Sequence, residues 1–393
     1  MRGRLRQSIF GDSAPLLDLL LRSWCYCRPS GSDLRVEAFS GWPVIRQKRK
    51  HPHISSDYRG NDSARCGVNT RVMIRIFVVM AFALALHGEA QTNSGQSLSE
   101  VSNALLLQFD KHDLVALGEW HNSREDQDLR INLIRNPQFP RKVHNIVVEC
   151  GNAIYQEMLD RFIAGVDVSR DDLQHVWRDT TQSPVAANSR GCEDFLNEVR
   201  SINIKLPKVL RLRVLAGDPP IDWAKINGAE EFQKILRSRD EFAAELARRE
   251  VLNKKGKALL IYGAGHLWRN NTLIPTPNLA TLLDRSNPGS LFTVVRLGGA
   301  YPDTPRLESV LPKSRPAFLV LEGTPAADLN ANEFIGRGVP VKLFAADLGI
   351  GQVADACIYT GRQEDTMIAP YPPDPAYEKE KERRRAFMPQ PRR

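Results

Sequence analysis

The sequence predicts an α/β protein: a mostly parallel sheet with helices on both faces, built as a single domain. Three observations carry this. Short apolar runs without strict alternation, at residues 113–118, 143–150, 212–217, 258–262 and 291–297, read as strands buried on both faces. Segments with helical spacing lie between most of them, which is the pattern of successive βαβ units. Several of the runs end in a glycine or a carboxylate, where a parallel strand delivers its chain to the carboxyl rim of the sheet.

The elements follow in order. The stretch opening at Leu98 and running to about residue 110 has helical spacing and precedes the first strand, 113–118. Ser123 reads as an N-cap with Asp126 three residues on; Leu129, Leu133 and Ile134 form one apolar face, and Asn136-Pro137 stops the helix. After the strand at 143–150, residues 152–164 and 169–179 read as helices, the latter capped by Ser169 with Asp172 in its first turn. Residues 192–204 form another helix, ended before Pro207. The strand at 212–217 is closed by Asp218-Pro219-Pro220. Residues 229–253 read as one long charged helix with Phe232, Ile235, Leu236 and Phe242 as a partial stripe. A strand at 258–262, a short helix at 277–283 and a strand at 291–297 come next, and 318–321 and 354–359 join the sheet. Beyond Pro372 the chain is Pro-rich and then rich in Glu, Lys and Arg, so residues 372–393 read as a charged flexible tail, solvated or a frayed helix.

The amino-terminal part has a different character. Met73-Ile74-Arg75 is followed by an uninterrupted apolar stretch, 76–86, and then by His87-Gly88-Glu89-Ala90. That is the layout of a secretory signal, 73–90, with cleavage after Ala90. Its 11 apolar residues fall short of the roughly 20 a membrane-spanning helix needs. The expectation is therefore an exported protein, periplasmic or secreted, with no stable membrane span in its mature form. Residues 1–72 are read as a leader absent from the mature protein, with Met73 as the biological start, and 91–371 as the folded domain. Residues 1–90 hold 14 Lys and Arg against 7 Asp and Glu, which accounts for most of the net charge of +8. The rest has no basic stripe with interleaved aromatics, so nucleic-acid binding is not expected. Of the six cysteines, Cys150, Cys192 and Cys357 lie beyond the signal. Three thiols allow at most one disulfide, and which pair forms is left open, Cys150–Cys192 included. There is no CxxC spacing, and no Cys follows Ala90 to carry a lipid.

Four polar motifs stand where strands are expected to end: Gly118-Glu119-Trp120-His121, Glu149 in Val147-Val148-Glu149-Cys150, Asp218 after Leu215-Ala216-Gly217, and Gly263-Ala264-Gly265-His266. Side chains at the carboxyl ends of parallel strands share one rim whatever their distance in sequence. His121, His266, Glu119, Glu149 and Asp218 together suit a divalent metal such as zinc, manganese or cobalt with an open water position. Glu119, His121, Glu149 and His266 equally suit metal-free acid–base catalysis, with a carboxylate polarising an imidazole. Glu149 must be paired or at the rim, since a buried lone carboxylate is costly; Arg141 or Lys142 would serve as a structural partner. Asp218 has a turn-capping role before Pro219 as its simpler explanation. Gly263-Ala264-Gly265 lacks the third glycine of a dinucleotide loop, where Trp268 stands, and neither GxSxG nor HExxH occurs.

The paired GxxH turns with a Glu between them resemble the Tiki/TraB, ChaN and erythromycin-esterase superfamily. Leu117-Gly118-Glu119-Trp120-His121 is similar to its first motif, Tyr262-Gly263-Ala264-Gly265-His266 to its second, and Asp355-Ala356-Cys357-Ile358-Tyr359-Thr360-Gly361 to the ending of several members. The resemblance covers residues 114–361. It implies an α/β/α fold with the site at one edge of the sheet, and three activities. Tiki members are metal-dependent proteases, whose ligands would map to His121, His266 and Glu119 or Glu149. Erythromycin-esterase members hydrolyse an ester with His and Glu and no obligatory metal. ChaN members are exported haem-binding proteins of iron uptake, although the ChaN lipid-attachment Cys is missing here. The first expectation is thus a hydrolase of ester or amide bonds in a small-molecule or peptide substrate. The alternative is a protein of the cell envelope that binds haem or an iron complex.

Overall fold

The computed structural model describes residues 38–39, 42–43 and 97–388, apart from 189, 273–276, 299–302, 336–342 and 364–365. The leader at 1–72, those two residue pairs aside, and the signal at 73–90 lie outside the described residues. The chain divides into two units, Met1–Val79 and Met80–Arg393. In the first, Ala38–Phe39 pairs antiparallel with Trp42–Pro43. Everything below concerns the second.

Among its described residues there are seven strands: β1 (Leu114–Glu119), β2 (Asn145–Asn152), β3 (Arg213–Asp218), β4 (Ala258–Gly263), β5 (Leu291–Leu297), β6 (Ala317–Val320) and β7 (Ala356–Tyr359). They lie in the order β3-β2-β4-β1-β5-β7-β6. All pairs are parallel except β6 against β7 at one edge. The α/β expectation is met, with each strand within two residues of its sequence reading at most ends.

The helices of eight residues or more are α1 (Leu98–Gln108), α2 (Arg124–Arg135), α3 (Gln156–Ile163), α4 (Arg190–Lys205), α5 (Ala229–Arg237), α6 (Arg239–Glu250), α7 (Leu279–Ser286) and α8 (Pro375–Arg385). Alternate side chains of one strand serve opposite faces of the sheet. Val115 and Leu117 of β1 join a core with Leu105, Leu133 and Phe195, from α1, α2 and α4. Leu114 and Ala116 of the same strand join another with Ala247 and Leu283, from α6 and α7. This two-sided burial is why the strands read as unbroken apolar runs.

Three elements differ from the sequence reading. The helix expected over 169–179 is two short ones, Arg170–Leu173 and His175–Arg178. The long helix expected over 229–253 is two helices that meet at Ser238. The tail is not a solvated appendage: Pro375–Arg385 is helical and buries Tyr377, Lys381 and Arg384. Among the described residues no helix is long and apolar enough to cross a membrane.

Candidate active site

The two GxxH turns leave neighbouring strands in register. Gly118 of β1 lies opposite Tyr262 of β4, and Glu119 opposite Gly263. Each turn depends on the glycine of the other. A Cβ on Gly118 would come within 3.3 Å of the Ala264 backbone. A Cβ on Gly263 would meet the His121 ring at 2.9 Å and Glu149 Oε2 at 3.1 Å. The glycines thus give the backbone room to approach side chains, which sharpens the tight-turn role expected for them. Past His121 the chain turns through Asn122, at φ 68°, a conformation Asn tolerates better than most residues. Ser123 then caps α2 by accepting from Asp126 N–H.

Glu149 is aimed inward by an irregularity in β2. Val148 pairs with Ala216 of β3, yet the next pairing is Asn152 with Asp218, so β2 carries two extra residues across the stretch 149–151. Such bulges bend a strand and redirect its side chains. Glu149 is 3% exposed. Its Oε2 accepts from Gly263 N–H at 2.5 Å, and its Oε1 pairs with Arg239. Both imidazoles face it: His121 Nε2 is 4.0 Å from Oε2, and His266 Nε2 is 3.5 Å from Oε1.

The far nitrogen of each imidazole has its own carboxylate. His121 Nδ1 lies 3.0 Å from Glu119 Oε1, and Glu119 is held in turn by Arg130. His266 Nδ1 lies 2.7 Å from Asp240 Oδ1, which also accepts from Leu279 N–H at the start of α7. A carboxylate on Nδ1 fixes the ring and its tautomer.

Charge settles the protonation states. Burial lowers the His266 pKa, but Glu149 and Asp240 outweigh it and raise it to about 9. Burial likewise lowers that of His121, and Glu149 with Glu119 turns the balance upward. For Glu149, burial raises the pKa, but Arg239 and the two histidines hold it well below the usual carboxylate range. Glu119 is lowered too, with Arg130 opposing burial. The site is therefore a carboxylate, Glu149, set among Arg239 and two imidazoles. His266 is 14% exposed and His121 37%, so His121 is the ring that meets solvent.

The structure brings Glu119, His121, Glu149 and His266 together and sets Asp218 one step behind. Asp218 accepts from Thr181 N–H at 2.7 Å and Oγ1–H at 2.5 Å, and lies 3.4 Å from Arg239 Nε. Burial pushes its pKa up to about 6. The partner of Glu149 is Arg239, not Arg141 or Lys142; Lys142 pairs with Asp110. Arg239 and Asp240 were missed because both lie inside what reads as one charged helix. The signal was Ser238 followed by acidic residues, the composition of a helix start. Trp268 is buried in the core, so it packs and does not line the site.

This donor set does not fit a metal ion. Both Glu149 oxygens are taken, and a dication beside them would face the fixed guanidinium of Arg239. Among the described residues no group of three His, Cys, Asp or Glu has metal-binding spacing.

No protein-family model matches the chain, and no curated protein matches it. Solved structures do. A protein described as a succinoglycan biosynthesis protein is similar over 71% of this chain and 95% of its own, with 9% identity and a TM-score of 0.50. A Bacillus cereus protein is matched over 71% of this chain and 96% of its own, with 12% identity and a TM-score of 0.48. An erythromycin esterase is matched over 70% of this chain and 99% of its own, with 12% identity and a TM-score of 0.44. At 9% identity the likeness to the first of these is one of fold alone, and the chemistry must be argued from the site.

Proposed function

We propose that the protein is a metal-independent hydrolase of an ester or amide bond in a small-molecule or peptide substrate. The observation that carries this reading is the pair of imidazoles whose Nε2 atoms face one carboxylate, while each Nδ1 is held by another. His121 is the general base. With its Nδ1–H donated to Glu119, the neutral form of this part-exposed ring, favoured above its raised pKa, has a lone pair on Nε2 to take a proton from water. The water oxygen then bonds to the carbonyl carbon. As the carbon–oxygen or carbon–nitrogen bond breaks, His121 returns the proton to the leaving group. His266, protonated up to about pH 9, and Arg239 supply fixed positive charge beside the developing oxyanion. Export to an oxidising compartment is part of the proposal, supported by the apolar segment at 76–86 and by the disulfide between Cys150 and Cys192.

The test is a panel of p-nitrophenyl esters and peptide amides, assayed with and without chelator. Hydrolysis should survive the chelator and fall by about a thousandfold in His121→Ala, within the range general bases contribute. Undiminished turnover in that variant would remove the mechanism. Titration with haem, giving a visible band lost in His121→Ala and no hydrolysis, would replace the hydrolase with the haem-binding reading.

A further inference from the structure

The geometry points to the amino-terminal turn of α4 as a brace that positions both carboxylates facing His121, with the Cys150–Cys192 disulfide as its covalent half. Three observations meet there. Glu149 is aimed by the irregular stretch 149–151 of β2, where regular pairing with β3 lapses between Val148 and Asn152. Cys150 lies within that stretch and is joined to Cys192 of α4, with the Cα atoms 6.2 Å apart. One residue before Cys192, the Gly191 carbonyl accepts from Gln127 Nε2 at 3.1 Å. Gln127 is on α2, and its Oε1 accepts from Arg130 Nε at 2.6 Å; Arg130 in turn holds Glu119.

Two short paths therefore leave the same turn of α4. One runs through the disulfide to the residue next to Glu149. The other runs through Gln127 and Arg130 to Glu119, on the far side of the His121 ring. A bulge lacks ladder hydrogen bonds of its own to fix its register, and the backbone here is crowded: a Cβ on Gly151 would lie 2.9 Å from Ala216 Cα. The disulfide supplies the missing tie. Gln127, Cys150 and Cys192 are positioning residues that act through Glu119 and Glu149. Reduction by a dithiol breaks the S–S bond, puts two electrons and two protons on Cys150 and Cys192, and oxidises the dithiol to its disulfide. Glu149 is then held only by the Gly263 N–H and Arg239, and its place between the rings loosens.

The inference rests on the proposed pairing of His121 and His266, and its test is independent of turnover. The C2–H resonances of both rings are titrated by NMR in the full chain, assigned with His121→Gln and His266→Gln, before and after reduction with dithiothreitol. In the oxidised protein the His266 midpoint should lie near 9. Reduction should lower the midpoints of both rings by about one pH unit or more, with the far-ultraviolet circular dichroism unchanged. A fall in melting temperature with both midpoints unmoved would make the disulfide a plain staple and overturn the inference. If reduction unfolds the protein, Gln127→Met decides with the disulfide intact. A lowered His121 midpoint supports the brace, and an unchanged one overturns it. Shifted midpoints in a protein that hydrolyses nothing would leave the brace standing and remove the hydrolase reading alone.

Discussion

Gly263 and Gly217 look alike in the sequence, each closing an apolar strand, yet substitution should affect them differently. At Gly263 the backbone has φ −50°, which any residue adopts. An added methyl meets the end of the His121 side chain, which is part-exposed and able to swing aside, and lies 3.1 Å from Glu149 Oε2, which needs to give by only a few tenths of an ångström. Gly263→Ala should cost no more than about 1 kcal/mol of stability and about a hundredfold in turnover, the scale of an ångström of misplacement. At Gly217 the methyl would overlap the Tyr262 hydroxyl and lie 2.9 Å from the Val148 carbonyl oxygen. Both are buried, so Gly217→Ala should cost about 1–3 kcal/mol as an overpacked core does. Urea unfolding beside an ester assay separates the two; equal stability losses would contradict this account of Gly263. The residues legible in the sequence were those at strand ends, because strand polarity alone puts them on one rim. Arg239 and Asp240 were not legible, because their place depends on which way a helix start faces, which no local pattern encodes.

The break at Ser238 is the element that makes the site. Had 229–253 been one helix, Arg239 and Asp240 would sit mid-helix on adjacent positions, facing different ways. As the first residues of α6 they reach Glu149 and His266. Composition misled in the same way at the tail. A Glu-, Lys- and Arg-rich stretch reads as solvated, but α8 lays its basic residues on aromatic faces and buried carbonyls. Arg384 stands 4.6 Å over the Trp223 ring, donates to the Arg178 carbonyl at 2.7 Å and pairs with Asp179 at 2.5 Å. Arg178 pairs back to Asp374 at 2.8 Å. The Asp179 carbonyl accepts from Asn152, the last residue of β2, and from Trp223 Nε1. The helix is thus tied through Asp179 to the strand that carries Glu149. Arg384→Ala leaves Asp179 buried with His175 and Tyr155 as its remaining partners. Breaking such a pair should cost about 3 kcal/mol, read as a lowered urea midpoint. A tail that did no more than trail in solvent would leave the midpoint where it was.

Across the whole molecule the buried charges fix how stability follows pH. The histidines of the site have folded-state pKa values raised above the unfolded value of about 6.5. Their contribution is fully present below that value and is lost as pH rises through the folded value, about 9 for His266. Glu119 and Glu149 are lowered, so their contribution is present above the usual carboxylate range and is lost on the acid side. Asp126 and Asp218, raised to about 6 by burial, weaken the fold as they ionise and complete that change below neutrality. Between pH 7 and 9.5, among the described residues, the raised histidines carry most of the change, His266 foremost and His175 with them. The Cys357 thiol, pushed up to about 12 by burial, ionises in that window only in the unfolded chain and adds a smaller loss, whereas Tyr262, ordinarily near 10, adds little. The His266 contribution alone should fall by about 2–3 kcal/mol across that window, at about 1.4 kcal/mol per unit of pKa shift. The decline should be much shallower in His266→Gln, whatever that variant costs at pH 7. Urea unfolding of both proteins at pH 7.0 and 9.5 supplies the comparison. An equal alkaline decline in the two would place the titrating group elsewhere and remove the imidazolium from beside Glu149.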